Sequence, residues 1–308
     1  MHPRTVSMPV KCERVVCVHT EVQVVHTLPE GEPVFGVTSL ADEVYVLRQK
    51  ERDQVEVYDV INYRLQRRLT LPNILGYADM ISCEHYRCVY IADDGVECTH
   101  RLDVLGTVTQ WAVNDKPVGL SVNAAHNVLV TCGEVRKIKE FSSHGDTVHE
   151  IILPGDVIHP WHAIQTRNGE FIVCHGYDKK VHRVCKISPA GDVIKSHGGQ
   201  RGSNMGQYDV PRHLAVDNNE FVFVADHRNK RVTLLSPRYV IRQIVSPDDL
   251  KGEPCRLCLD IHRRRLYVTD SGWKEGDRNV EVIVCDGGEM TIDHDDRYER
   301  GRVVVFSV

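Results

Sequence analysis

No stretch of this 308-residue chain approaches the ~20 consecutive apolar residues that a bilayer-spanning helix needs, so no helical span is expected. The first fourteen residues lack the apolar core of a secretory leader, and the expected setting is therefore cytoplasmic. Sustained apolar periodicity at 3.6 residues is missing too, which argues against a helical bundle. There is no excess of positive charge: the formal net charge is −5, which disfavours a nucleic-acid backbone as the default partner. A disulfide framework is also absent. The eleven cysteines are an odd number, and several, among them Cys88, Cys174 and Cys185, sit inside strand-like apolar runs that suit buried, reduced thiols. Cys255 and Cys258 have CxxC spacing, but positions i and i+3 of a strand face opposite sides, so a shared metal is not expected there.

What the chain does contain is a repeat. The segment Tyr208 to Pro237 runs from an apolar strand beginning at Pro211, through an Asn218-Asn219 turn, into a second strand ending at Asp226. A basic turn then leads to a third strand and the Ser-Pro pair that punctuates it. Inner strands of the same kind start at Pro33, Leu75, Pro117, Pro160, Pro211 and Pro254, with spacings of 42, 42, 43, 51 and 43 residues. Each is followed by a second apolar strand: Val44 to Leu47, Val89 to Ala92, Val128 to Thr131, Phe171 to Cys174, Phe221 to Ala225 and Leu266 to Thr269. Units of this length with four short strands predict an all-β, six-bladed β-propeller of four-stranded antiparallel blades, residues 1–308 forming a single domain. Val22 to Thr27, alternating and β-branched, is the expected outer strand of the last blade, closing the ring. Val15 to His19 resembles a third strand and competes for a place in the same blade.

The details resemble the NHL repeat, over about Pro33 to Val308. Proline precedes the inner strand, Val224-Ala225-Asp226 closes the second, Arg231 opens the third and a Ser-Pro turn follows it. Units one to three depart from the pattern, with Arg48 and Cys132 where Asp226 stands in unit five. Kelch and WD signatures are absent. The resemblance extends to the carboxy-terminal propellers of tripartite-motif proteins, and implies a substrate-recognition module of a ubiquitin ligase or an RNA-binding propeller.

In propellers, the loops entering the inner strands and those joining second to third strands open on one face around the channel. Two positions after each unit's start stand Phe35, Tyr77, Gly119, His162, His213 and Arg256. One position after, Trp161 and Arg212 stand out, and the second-to-third loops add Arg48, His175, His227 and Arg228. Aromatic, histidine and arginine side chains of this kind dominate binding hot spots, so a protein or peptide partner is expected on this face, with RNA as the alternative. Neither DNA nor a membrane is expected as a partner.

No complete catalytic constellation is found, and neither a metal nor a cofactor is expected. Asp93, Asp226 and Asp270, each closing a second strand, are read as turn-holding residues rather than cation ligands. The chain is similar in fold to the peptide-amidating lyases, which hold zinc through histidines at inner-strand starts and so make a metal-dependent lyase the second alternative. Here Trp161 and Arg212 occupy the place directly after proline, and His162 and His213 come one residue later. A lactonase-like acidic metal set is not found. The clearest departure from the repeat is in unit six. Four residues separate Asp226 from Arg231, whereas thirty-one separate Asp270 from Arg302. This insert, 271–301, holds nine acidic and four basic residues, a net charge equal to that of the whole chain, and its pattern predicts a hairpin around Asp286-Gly287-Gly288.

Overall fold

The computed structural model describes residues 22–48, 54–71, 74, 76, 79–177, 181–272, 282–285, 288–291 and 300–308. Six four-stranded antiparallel sheets are arranged as the blades of a propeller. Blade one contains Val34–Leu40, Glu43–Arg48, Gln54–Asp59 and Leu65–Thr70, from inner to outer strand. Blade two contains Asp79–Cys83, Cys88–Asp93, Cys98–Asp103 and Val108–Ala112. Blade three runs from Pro117–Val122 through Val128–Cys132 and Lys137–Phe141 to Thr147–Ile152, and blade four from Pro160–Gln165 through Phe171–His175 and Val181–Ile187 to Val193–Gln200. Blade five is built from Pro211–Val216, Val222–Asp226, Arg231–Leu235 and Ile241–Val245. Blade six has Glu253–Asp260, Arg265–Gly272 and Arg300–Ser307, and takes Gln23–Thr27 as its outer strand.

That last pairing closes the ring as the sequence predicts. Gln23 faces Ser307, Val24 faces Phe306, and the Leu28 N–H continues the ladder to the Val303 carbonyl at 2.9 Å. Val15 to His19, Leu75, Tyr77 and the acidic cluster Asp293 to Asp296 lie outside the described residues. The described inner strand of unit two is Asp79–Cys83. The expected hairpin of the insert is present, with Val282–Cys285 paired to Gly288–Thr291. Among the described residues no helix is long and apolar enough to cross a membrane.

The core is divided among the blade interfaces. Six apolar clusters form, one between each pair of neighbours: Phe223, Val232 and Leu234 of blade five meet Leu266, Val304 and Phe306 of blade six, and Tyr267 and Val305 of blade six meet Val37 and Val46 of blade one. Second strands such as Phe171–His175 and Val222–Asp226 are buried along their whole length, because both faces pack against other blades. This explains their continuous apolar runs. Outer strands have only one neighbour, and their patterns are mostly exposed. The cysteines of the six blades, Cys83, Cys88, Cys98, Cys132, Cys174, Cys185, Cys255 and Cys258, are buried and free. Cys255 and Cys258 point apart, toward His227 and toward Ser39 respectively.

The closing aspartates hold the blades together, and they reach further than their own turns. Asp226 accepts the Asp209 N–H at 2.8 Å from the loop that enters its blade, and Arg231 braces its other oxygen at 2.7 Å. Asp270 accepts Lys251 and Gly252 N–H groups and faces Arg302 at 2.6 Å; Asp93 accepts those of Gly76 and Gly95. In blades one and three, where Arg48 and Cys132 stand in place of the aspartate, the polarity of the brace is inverted. Arg48 of blade one donates to the carbonyls of Pro29 and Glu32 at 2.8 Å each, with Glu56 as its counterion at 2.7 Å. In blade three Lys139 donates to Val113 O and pairs with Asp115. Blades one and three therefore retain the brace with donor and acceptor exchanged.

Candidate functional site

The inner strands position the site by a shared irregularity. In blades three, four and five the ladder shifts register between the opening proline and the second residue after it: Pro117/Gly119, Pro160/His162 and Pro211/His213. Proline offers no N–H to a ladder and sits readily at a strand start, and the bulge places two residues opposite one. The residue after proline is thus half-buried, as Trp161 and Arg212 are, while the next is buried at the axis, as His162 and His213 are. Register against the second strands makes Gly36, Asp79, Gly119, His162 and His213 equivalent axial positions, and Arg256, whose N–H donates to Thr269 Oγ1 next to the Leu257–Val268 pair, is the sixth.

Asp79 is the member that the unit starts do not reveal, because unit two has no proline to count from. Counting back from the closing residue would have found it: His213 precedes Asp226 by thirteen residues and Asp79 precedes Asp93 by fourteen. Phe35 is shifted the other way. It stands at the bulge, half-buried, and packs against the apolar cluster between blades one and two, while Gly36 takes the axial place.

At the axis these residues form a closed polar network. Asp79 accepts backbone N–H groups from Met80 and Leu120 at 2.9 and 2.8 Å, lies 3.2 Å from His213 Nε2 and 3.8 Å from His162 Nε2, and faces Arg256 Nε at 3.1 Å. The two imidazoles stack with centroids 3.8 Å apart. Asp79, His162, His213 and Arg256 are all buried. The glycines leave the necessary space: a Cβ on Gly119 would fall 2.4 Å from the Trp161 carbonyl oxygen, and one on Gly36 2.5 Å from Met80 Cβ. Burial alone would raise the Asp79 carboxyl. The interaction with His213, which donates its Nε2–H, and the charge of Arg256 outweigh it and hold the group well below the usual carboxylate range. Burial pushes His162 down to about 3, helped by His213, and lowers His213 as well, so both rings are neutral near pH 7.

The distances among Asp79, His162 and His213 are short enough to suggest a metal, since one ligand atom from each lies within 4.8 Å of the others. The hydrogen bonds argue against that use. The Leu257 N–H points at His213 Nδ1 at 3.2 Å, which therefore accepts, placing the ring proton on Nε2 toward Asp79. His162 Nε2 lies 2.8 Å from the Leu120 carbonyl, so it too carries its proton. A cation would need both rings in the other tautomer, with His213 Nδ1–H opposed to a backbone N–H. These residues do not fit a resident metal.

Outside the axis the channel-mouth face offers a different surface. Trp161 is fixed by its Nε1–H to the Gly176 carbonyl at 2.9 Å. The Arg212 guanidinium lies 5.2 Å from the Trp161 ring, a cation–π arrangement, and approaches His227 Nε2 at 3.3 Å. His159 meets Trp161 edge-on at 4.3 Å, and Tyr177 follows at 5.5 Å. His159, Trp161, Tyr177 and Arg212 are half-buried, and Arg228 is exposed. The remaining expected residues make contacts within the blades. Arg48 braces blade one; His175 is fully buried, accepting the Ile158 N–H at 3.2 Å, and burial with Arg183 beside it pushes its ring down to about 4. His227 is buried against Pro254 O and Glu253. A cavity of about 500 Å³ lies elsewhere, beside blade one, and its Arg48, Tyr58 and Arg68 all converge on Glu56.

No protein-family model matches this sequence, and no curated protein matches it. Solved structures do share its fold. A virginiamycin B lyase from Staphylococcus aureus aligns at TM-score 0.59 with 11% identity, covering 94% of this chain and 100% of the other. A PQQ-bound aldose sugar dehydrogenase from Streptomyces coelicolor aligns at 0.63 with 12% identity, covering 93% and 98%. A protein of unknown function from Bacteroides thetaiotaomicron aligns at 0.64 with 11% identity, covering 93% and 76%. At these identities the likeness is one of fold, and propellers of this kind include enzymes as well as proteins without an assigned role.

Proposed function

We propose that this propeller is a non-catalytic recognition module of the NHL type that binds a protein or peptide on its channel-mouth face, in the manner of the substrate-recognition part of a ubiquitin ligase. The observation that carries this reading is the division of labour at the inner-strand starts. The inward residues neutralise one another around Asp79, while the residues beside them assemble an accessible aromatic and guanidinium platform. Trp161 supplies a rigid apolar face, and Arg212 over its ring can take a carboxylate or a backbone carbonyl. The NHL assignment draws support from unit five, where Pro211, Asp226 and Arg231 each perform a visible structural task.

Selection of binders from a displayed random-peptide library tests this. Peptides enriched on the wild-type protein are expected to lose at least about tenfold in affinity on Trp161→Ala and on Arg212→Ala, about 1.4 kcal/mol or more, with the melting temperature of each variant nearly unchanged. Peptides that bind both variants as well as wild type would place recognition elsewhere. The enzymatic alternative predicts instead about one tightly held metal ion that is lost when His162 and His213 are both replaced by alanine.

A further inference from the structure

Blade two differs from blades five and six at the position where those blades set an arginine against the closing aspartate. Asp226 pairs in register with Arg231, and Asp270 with Arg302. The register partner of Asp93 is Cys98. Two residues on, His100 lies opposite Ile91, the place that Thr233 takes opposite Val224 in blade five. The period-two geometry of a strand puts Cys98 and His100 on one face, with Asp93 directly across from Cys98. His100 Nε2 lies 3.2 Å from Asp93 Oδ2 and 3.3 Å from Cys98 Sγ. The three ligand atoms all fall within 4.8 Å of one another, and the residues are 0, 5 and 0% exposed, in chain order. His100 Nδ1 is buried with no hydrogen-bond partner among the described residues, so no described backbone group fixes the tautomer of this ring, in contrast to His213.

We propose that Asp93, Cys98 and His100 form a binding site for zinc within the blade-two hairpin. One oxygen, one sulfur and one nitrogen donor suit zinc and do not suit magnesium or calcium, which take oxygen shells. Metal–ligand bonds of about 2.0–2.3 Å at tetrahedral angles put neighbouring donors roughly 3.3–3.6 Å apart, and the observed contacts are within a few tenths of an ångström of that. The charges balance. On binding, the Cys98 thiol proton passes to solvent, and the thiolate and the Asp93 carboxylate together cancel the two positive charges of the ion. The ring proton of His100 moves to Nδ1, leaving Nε2 to coordinate. A water fills the fourth position. The metal takes over, in blade two, the bracing that Arg231 and Arg302 perform in their blades, so its effect is on the stability of the hairpin.

Cobalt(II) titration of the chelator-stripped protein tests the proposal. One equivalent is expected to produce the visible bands of a tetrahedral site together with a near-ultraviolet thiolate-to-cobalt band, and zinc is expected to displace it and raise the melting temperature. Cys98→Ser abolishes the thiolate band, and both Cys98→Ser and His100→Asn weaken binding about a hundredfold. X-ray absorption on zinc-loaded wild-type protein, which requires no variant to fold, is expected to show one sulfur neighbour. A sulfur-free shell, a thiolate band that survives Cys98→Ser, or a stripped protein whose cobalt spectrum and melting temperature do not respond to metal would each overturn it.

Discussion

Asp79 is a carboxylate fully removed from water, and it stays ionised because five groups from five blades converge on it. Replacing it with asparagine keeps the shape and removes the charge that faces the buried Arg256 Nε at 3.1 Å. Breaking a buried pair in this way costs about 3–5 kcal/mol. Asp79→Asn should therefore lower the urea midpoint strongly with an unchanged m-value, whereas a loss under about 1 kcal/mol would mean that Arg256 finds another partner. Two buried histidines carry a pH signature. In the unfolded chain His162 and His175 take up protons below about 6.5, but in the folded state they resist until about 3 and about 4. The unfolded state thus binds more protons in this interval, and stability falls as the pH drops from about 6.5 toward 4. Burial raises Asp226 to about 6, against the pull of Asn229 and Arg231, which offsets part of that loss. His162→Gln should flatten the slope of stability against pH in that window, a change that denaturation series at several pH values would show; an unaltered slope would contradict the neutral-imidazole assignment.

At the scale of strands and blades, the ring depends on the pairing of Gln23–Thr27 with Arg300–Ser307. Deleting residues 1–28 removes that strand and leaves an unpaired edge on blade six, together with the loss of Leu28 from the cluster between blades six and one. The truncated protein should associate into oligomers and melt at a lower temperature by light scattering and calorimetry. A monomer with an unchanged melting temperature would contradict closure by this strand. Much of this scale could be read from the sequence, because proline at inner-strand starts and aspartate at second-strand ends mark fixed places in each blade. Unit two was misplaced because it lacks the proline, and Arg48 looked like a surface residue because an inverted brace has no motif. The axial network was half visible: His162, His213 and Arg256 stand at regular spacing, but their convergence on Asp79 is a property of the ring and leaves no local signal.

Over the whole molecule, the distribution of charge separates the protein-binding reading from the RNA-binding one. The acidic insert leaves its sheet at Gly272 and rejoins it opposite, at Arg300, beyond the end where Asp270 holds the loop entering blade six. It is thus rooted at the channel-mouth end, and within a Debye length of about 8 Å its net charge of −5 opposes a phosphate backbone. Replacing residues 273–299 with a short glycine-containing turn should raise the affinity for single-stranded RNA, and the gain should fade with added salt. Tight RNA binding by the intact chain that Arg212→Ala and Arg228→Ala abolish would reverse the preference between the two readings. The most direct test of the central claim is a hydrogen-exchange footprint of the intact protein with a peptide selected on it. Recognition at the channel mouth predicts slowed exchange in the loops at 153–160 and 201–210, around Trp161 and Arg212. Protection confined to the opposite loops that carry His85 and His126, with those two loops unchanged, would contradict it.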